Sequence, residues 1–331
     1  MQFGYYIAKK LSLTKQQSFT RTITLLAIAA VSMSICVVII SFGVLLGFKK
    51  EIREKVSGYA GDISISSYQL TNGNENNILT ISSSLIDSVS NVKDVESIFP
   101  YINKAGIIKS DSVLEGLVFK GVPYNYNFSF FKKHLKRGVI PQYADSTDSY
   151  EILLSEYTAS VMAVDTGDRL NLFFIESSDV KRRRPKVIGI YNTGLEEFDK
   201  QFAIADIRVL QRVIGQQYNV AGGYEVKISD FSSLNVIQEQ ITQIIDYNTS
   251  ARNVKEIYPL IFQWLELIDT NVYVLITLMF VVAIINVVTV LLILIIDRIP
   301  MIGLLKSLGA TTQKVLRILF IINILSNIRY G

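Results

Sequence analysis

Apolar residues dominate two long stretches of the chain, one near each end, and neither stretch contains a charged residue. The stretches cover residues 23–48 and 270–296. As helices they would be about 39 and 40 Å long, more than the hydrocarbon core of a bilayer, which is about 30 Å thick. The pattern therefore predicts two transmembrane helices, over residues 22–48 and 267–296.

A third apolar stretch begins near Val315 and continues to the last residue, Gly331. Its uncharged part lies between Arg317 and Arg329 and is shorter than the roughly 20 residues that a span requires. We expect residues 315–331 to be an incomplete third transmembrane helix.

The pattern between the two long spans is different, with short strands and helices separated by turn residues. The segments "GDISIS" and "KVIGIY" are typical of strands, "LLSEYTASVMAV" of a strand followed by a helix, and "DTGDRLNLFF" of a turn before a strand. Asp206 is predicted to cap one helix, and Ser232 or Ser233 another. We therefore expect an α+β domain over residues 49–266.

Both ends of this domain are predicted to be stalk helices that continue out of the membrane, in "KKEIREKVSG" and "YPLIFQWLELIDT". The predicted fold class is thus a membrane protein, with transmembrane α-helices plus a large α+β extracytoplasmic domain inserted between the first and second spans.

Basic residues near the spans indicate the orientation, because they mark the cytoplasmic side. Residues 1–21 contain four Lys or Arg and no acid, and residues 297–314 are also basic. Four more basic residues directly after the first span favour the opposite orientation. They open a segment of over two hundred residues, however, and long segments translocate largely regardless of charge. We therefore expect 1–21 and 297–314 in the cytoplasm.

Composition agrees with a membrane protein and excludes several kinds of active site. Half of the residues are hydrophobic and only 19% are charged. The only Cys, Cys36, lies in the first span, and the only His, His134, is expected on the surface of a short basic helix. No Gly is followed by Lys, so the phosphate-binding loop G-x-x-x-x-G-K-[ST] is absent. We predict no catalytic residue, metal site or cofactor on this chain.

A basic segment, "KRRRPK" at 181–186, falls between two strand-like runs and is predicted to be the tip of a hairpin over 173–191. A solvated loop or a protein-docking hairpin would fit this pattern, whereas nucleic acid is not expected outside a membrane. The residues that would bind a periplasmic partner are Lys181, Arg182, Arg183, Arg184 and Pro185.

Asn286 is a polar residue inside the second span. An amide in hydrocarbon costs free energy unless it is hydrogen-bonded, so Asn286 is predicted to contact a neighbouring helix. The alternative is that it faces a water-filled gap.

Several segments together resemble one family of membrane proteins. They are "YYIAKKLSLTKQQSFTRTITLLAIAAVSMSICVVIISFGVLLGFKKEI", "GDISIS", "VDTGDRLNL", "VIGIYNTGLEEFDKQ" and "VVAIINVVTVLLILIIDRIPMIGLLKSLGATTQKVLRIL". The last is similar to the family's acidic-basic pair followed by I-G-x-L-[RK]-x-[LM]-G-A. The chain resembles permeases of the MacB/FtsX-type ABC transporters, and most closely the lipoprotein-releasing permeases of the LolC/LolE type.

The resemblance implies four spans, a periplasmic domain between the first two, and a cytoplasmic coupling helix over 297–314 that rests on a separate ATPase. The coupling residues would be Arg298, Met301, Ile302, Leu305, Lys306, Leu308 and Gly309. An apolar stripe on one face of this segment agrees with docking, although a helix lying on anionic lipid would show a similar pattern. Met301 stands where many members have an acid.

The function implied is that of an inner-membrane, multi-pass permease without its own ATPase, which transmits ATP-driven movement and releases lipoproteins to a periplasmic carrier. Its partners would be a cytoplasmic ABC ATPase that hydrolyses ATP, a second permease copy or paralogue, the carrier, and membrane lipids. One alternative is an FtsX-like regulator of a cell-wall hydrolase. Another is a MacB-like efflux permease, which is disfavoured because that branch carries its ATPase on the same chain.

Overall fold

A computed structural model describes residues 18–68, 78–110, 113–176, 179–215, 218–307, 309–311, 313 and 315. The chain divides into two compact units, of which one is Phe48–Trp264 and the other combines Met1–Gly47 with Leu265–Gly331. The predictions for 1–17 and 316–331 lie outside the described residues.

The helices in chain order are α1 (Ser18–Ala60), α2 (Ser83–Ser90), α3 (Ser129–Lys133), α4 (Glu156–Met162), α5 (Glu196–Gln201), α6 (Ile207–Val213), α7 (Leu234–Ile244), α8 (Val254–Ile257) and α9 (Pro259–Ser307). Two of them, α1 and α9, contain segments long and apolar enough to cross a membrane. These segments are Ala29–Ala60 and Pro259–Ile293, with mean hydropathies of 2.5 and 2.9. The residues of both expected stalks are therefore helical and continuous with the apolar segments.

The end of α9 differs from the prediction. A separate helix was expected to begin at Asp297, but α9 continues through Pro300 to Ser307. Pro300 lacks a backbone donor and so removes one helical hydrogen bond, but the helix continues on both sides of it. After Pro300, the first glycine in a left-handed conformation is Gly309, with φ of +82°. The expectation of a separate helix starting at 297 was therefore wrong, whereas the boundary between membrane and cytoplasm at 297 stays a prediction.

The strands all lie in the Phe48–Trp264 unit. In chain order those described are β1 (Ile63–Ser67), β2 (Leu79–Thr80), β3 (Val95–Lys109), β4 (Leu114–Val122), β5 (Leu135–Gly138), β6 (Glu151–Ser155), β7 (Asn171–Glu176), β8 (Asp179–Arg183), β9 (Lys186–Tyr191), β10 (Phe202–Asp206), β11 (Val220–Ala221), β12 (Gly223–Ile228) and β13 (Thr249–Asn253).

The main sheet is mixed, with the order β13-β1-β12-β3-β4-β10-β6-β9-β5. The pair β7–β8 extends from β3, and β2 with β11 forms a separate ribbon. Most neighbours are antiparallel, but β10 runs parallel to β4 and β6 runs parallel to β9. The α+β class predicted for this domain is confirmed.

Helices α4 and α6 contribute apolar residues to a buried core cluster, together with the strands of the main sheet. Fully buried members include Phe119, Leu154, Phe174, Ile190 and Leu210. The sequence predicts a strand in "KVIGIY" and a strand followed by a helix in "LLSEYTASVMAV", and residues of both segments belong to this core. The structure confirms both predictions.

The predicted helix caps are correct in one case and partly correct in the other. The Asp206 side chain accepts a hydrogen bond from the backbone N–H of Arg208 and caps α6. Ser233 is the residue before α7, as predicted, but its side chain makes no capping hydrogen bond. Its hydroxyl donates instead to the carbonyl of Asp230 at 2.7 Å, and the Asp230 carboxylate accepts from the N–H of Ser232 and caps a short 3-10 turn before α7.

Burial of Asp206 gives a prediction for the pH dependence of stability. Burial raises the pKa of this carboxyl, despite hydrogen bonds from the N–H groups of Ser149 and Arg208 and the charge of the Arg208 guanidinium; Asp148 nearby also raises it. Because the folded pKa exceeds the unfolded value of about 3.9, the folded state binds the proton more tightly. Its contribution to the free energy of unfolding should fall as the pH rises through the raised pKa.

We therefore expect wild type to lose stability relative to Asp206→Asn as the pH rises from the unfolded pKa of about 3.9 through the raised pKa of the folded state. Urea unfolding of the two proteins in parallel measures this difference. A stability difference that stays constant over this range would contradict the prediction.

Candidate functional site

The first three residues of the basic segment predicted as a hairpin tip lie in β8, the next two connect β8 to β9, and Lys186 begins β9. In the hairpin of β7 and β8, Glu176 pairs with Asp179, so the two strands turn before the basic run begins. Phe174 pairs with Lys181, and Leu172 pairs with Arg183. The prediction of a basic tip was therefore wrong, because the pairing register places these residues beside β7.

The basic side chains in this strand are largely occupied by their own domain. The ammonium of Lys181 donates to the carbonyl of Val213 at 2.6 Å, and Arg182 donates to the side chain of Asn171 at 2.7 Å. Arg183 donates to the carbonyl of Arg182 at 2.9 Å. Of the predicted partner-binding residues, Pro185 is buried, Lys181 and Arg183 are half-buried, and Arg182 and Arg184 are exposed. Only the last two offer a charge at the surface of the described domain.

The residues predicted to contact an ATPase are partly described. Ile302 is half-buried, and Lys306 and Gly309 are exposed. Arg298, Met301, Leu305 and Leu308 lie outside the residues whose side chains the structure describes. Asn286 is half-buried in α9, and its interhelical contact stays a prediction.

The environments of the single cysteine and the single histidine differ. Cys36 is exposed on α1. His134 was expected on the surface but is half-buried just after α3, with Nδ1 2.8 Å from the carbonyl oxygen of Phe130 and its ring 4.6 Å from the Phe130 ring. Packing against this aromatic ring withdraws the imidazole from solvent. Among the described residues, no group of three or more His, Cys, Asp or Glu could hold a metal ion.

A buried charged cluster that the sequence prediction missed lies beside the end of α1. Lys120 and Glu225, which are 3% and 7% exposed, form an ion pair. The Lys120 ammonium also donates to the backbone carbonyl of Tyr59, and it lies 5.0, 5.8 and 5.7 Å from the ring centroids of Tyr59, Tyr101 and Tyr126. We call these five residues the lysine centre.

Four elements of the domain meet in the lysine centre. Lys120 is on β4 and Glu225 on β12, and these strands are separated by β3, so the ion pair crosses one strand. Tyr59 is in the last turn of α1. The side chain of Tyr101 on β3 is hydrogen-bonded to Ser64 on β1 at 2.9 Å. The centre therefore joins the end of the first long helix to the middle of the sheet.

Two tyrosines of the centre, Tyr59 and Tyr126, remain neutral. Burial raises the pKa of Tyr59 and Tyr126 well above the usual value, and the negative charge of Glu225 raises both further. Neutral rings with their negative faces near an ammonium give a cation–π attraction. The carboxylate and the ammonium bond each other and the end of α1, so the arrangement is suited to holding these elements together.

A second polar group fixes the residues that follow α1. Asp62 accepts hydrogen bonds from the Ser57 hydroxyl and from the N–H of Ile228, the latter at 3.0 Å. The Lys227 ammonium lies 2.6 Å from the Ser57 hydroxyl and 3.2 Å from the Asp62 carboxylate. Gly61 ends the helix with φ of +76°, where a side chain would also come within 2.9 Å of Glu225 Cβ.

Aromatic rings cover the other side of this helix end. The Tyr59 ring lies 4.7 Å from Phe202, 5.1 Å from Phe198 and 6.1 Å from Phe131, measured between centroids. Tyr258, just before α9, contacts Phe198 at 5.1 Å. Charged residues inside the apolar runs "LVFKGV" and "GYEVKI" were the signal in the sequence for this centre, but the pattern does not show that they pair.

Comparison with known families gives a match over most of the described domain. The family described as "MacB-like periplasmic core domain" matches residues 24–244. The extracellular domain of the noncanonic ABC-type transporter YknZ from Gram-positive bacteria is similar at 12% identity and a TM-score of 0.41, over 58% of this chain and 99% of that one. The periplasmic region of MacB from Actinobacillus actinomycetemcomitans is similar at 16% identity and a TM-score of 0.42, over 63% of this chain and 95% of that one.

Among whole proteins, the chain is 21% identical over 330 residues to the "Lipoprotein-releasing system transmembrane protein LolC" of Neisseria meningitidis serogroup B, covering 93% of this chain and 74% of the relative. The protein of the same description from Xylella fastidiosa is 21% identical over 223 residues, covering 65% of this chain and about half of the relative, 51%. The chain belongs to the family of the MacB-like periplasmic core domain and is an ABC transporter permease of the MacB/FtsX type, similar to LolC.

Proposed function

We propose that this permease transmits the movement of a separate ATPase across the inner membrane and releases lipoproteins to a periplasmic carrier. The observation that carries the proposal is the continuity of α1, which includes an apolar segment long enough to span a membrane and ends in bonds to Lys120 on β4 and Lys227 on β12. The relatives named as lipoprotein-releasing system proteins support lipoprotein release as the outcome.

In this proposal residues 1–21 and 297–314 face the cytoplasm, and 49–266 form the periplasmic domain. ATP is bound and hydrolysed by the partner subunit, and the permease supplies no cofactor. A second permease, a copy or a paralogue, completes the transporter in the surrounding lipid. Movement of the long helices then reaches the periplasmic domain, since a continuous hydrogen-bonded helix changes little in length.

Release of an acylated protein from spheroplasts tests this proposal. The spheroplasts carry the full-length permease, its partner ATPase and a soluble carrier, and we expect ATP-dependent appearance of acylated protein in the supernatant. Spheroplasts without the permease are the control. Equal release from both would contradict lipoprotein release, and permease-dependent activation of a cell-wall hydrolase without release would favour the regulator instead.

A second prediction concerns the carrier and the β7–β8 hairpin. The basic segment has three exposed charges, of which Arg182 lies in β8, Arg184 directly follows β8 and Lys186 begins β9, and exposed charges act mainly on association rates. Arg182→Glu with Arg184→Glu should slow carrier association about tenfold or more at low salt, with a smaller effect at high salt.

The matched control is Lys132→Glu with Lys133→Glu, which makes the same change of charge at exposed positions of α3. Surface plasmon resonance at two salt concentrations measures both variants. Equal association rates for the two double variants would show that the carrier does not dock on the hairpin.

A further inference from the structure

We propose that the lysine centre is a mechanical joint that makes the end of α1 and the central sheet move as one body. Lys120 and Glu225 are its positioning residues. The inference rests on the proposed transmission function and names the place where movement of the helix enters the periplasmic domain.

The bond from Lys120 to Tyr59 is the first reason. Carbonyl groups in the last turn of a helix have no partner within the helix and carry partial negative charge. The Lys120 ammonium donates to one of these carbonyls while it is paired with Glu225. One side chain on β4 thus bonds the helix end and reaches across β3 to β12.

The second reason is that a buried ion pair has no general advantage for stability. Desolvation of two charges offsets much of their attraction, and well-packed apolar side chains often replace such a pair without loss of stability. A charged pair with several hydrogen bonds differs from apolar packing in fixing directions between groups, because each bond has a preferred geometry. Fixed directions are what a joint between a helix and two strands requires.

Both ends of the inserted domain meet near this joint. The Arg53 guanidinium on α1 lies 4.6 Å from the Phe231 ring centroid, and Phe231 stacks on Phe262 of α9 at 6.2 Å. The N–H of Val254, at the start of α8, donates to the carbonyl of Asp62 at 2.9 Å. Movement of either end therefore reaches the same small region of the domain.

Distance measurements between two spin labels test the joint in the full-length permease with its ATPase in nanodiscs. Cys36→Ser removes the native thiol, and labels at Glu54→Cys and Leu114→Cys report on α1 and on the start of β4. Both positions are exposed. We compare the nucleotide-free complex with the complex trapped with ATP and vanadate.

With the native centre we expect the same distance in both states, because helix and sheet move together. The double variant Lys120→Met with Glu225→Leu packs the site with apolar side chains. In this variant we expect the mean distance between the labels to shift, or its distribution to broaden, by several ångströms in the trapped state. Glu225→Gln keeps the size of the side chain and should show a smaller change in the same direction. It takes the place of the double variant in this test if the double variant does not fold. Asp148→Leu with Arg208→Met alters a buried carboxylate and its partner away from α1 and should behave like wild type.

A distance that changes on trapping in the native complex would overturn the joint, and so would a constant distance in both Lys120–Glu225 variants. These measurements need neither cargo nor carrier. If the native complex released no lipoprotein, the proposed function would fail while the distances still tested the joint.

Discussion

Replacement of Lys120 by Met alone will lower the free energy of unfolding of the Phe48–Trp264 unit by about 3–5 kcal/mol. The cause is the carboxylate of Glu225, which would remain buried without its partner. The carbonyl of Tyr59 would also lose its donor. Hydrogen exchange of the sheet amides in the whole chain measures the loss.

The double variant, with Glu225→Leu added, should recover most of this loss, because no uncompensated charge remains. Lys132→Met is the matched control at an exposed position and should change stability by no more than about 0.5 kcal/mol. If the single and the double variant were equally unstable, the loss would come from packing around residue 120 rather than from an unpaired charge.

Local patterns were sufficient for the parts of the fold that depend on neighbours in sequence. The strand "KVIGIY", the strand and helix over "LLSEYTASVMAV" and the Asp206 cap each rely on residues within one turn or one strand, and the structure has all three. Helix α9 shows the limit of such signals. The charged Asp297 at the end of the uncharged run suggested a boundary, whereas the helix continues to Ser307.

Features that depend on strand pairing could not be predicted from local sequence. The run of four basic residues suggested a solvated tip, but its position is set by the pairing of β8 with β7, and Lys181 reaches the end of α6 through Val213. The lysine centre is the stronger example, since Lys120 and Glu225 are 105 residues apart and only the order β12-β3-β4 brings them together.

The second large effect is expected at the C-terminal end of α9, which we propose to face the cytoplasm. If residues 297–314 dock in a groove on the ATPase, a few buried apolar side chains should supply most of the binding energy. Leu305 and Leu308 are the predicted anchors, with Arg298 and Lys306 at the polar rim. Leu305→Ser with Leu308→Ser should then cost about 4 kcal/mol of docking free energy and abolish permease-stimulated ATP hydrolysis.

Lys306→Ala is the matched control for this prediction, because Lys306 is exposed on the same segment. It should change mainly the salt dependence of ATPase binding, since rim charges act on association more than on affinity. A helix that lies on anionic lipid predicts a different outcome, in which the double leucine variant binds membranes less well but still co-purifies with the ATPase. Co-purification and ATP hydrolysis of both variants, measured in the full-length permease, distinguish the two arrangements. Retained co-purification together with coupled hydrolysis in the double leucine variant would show that these leucines do not anchor the ATPase.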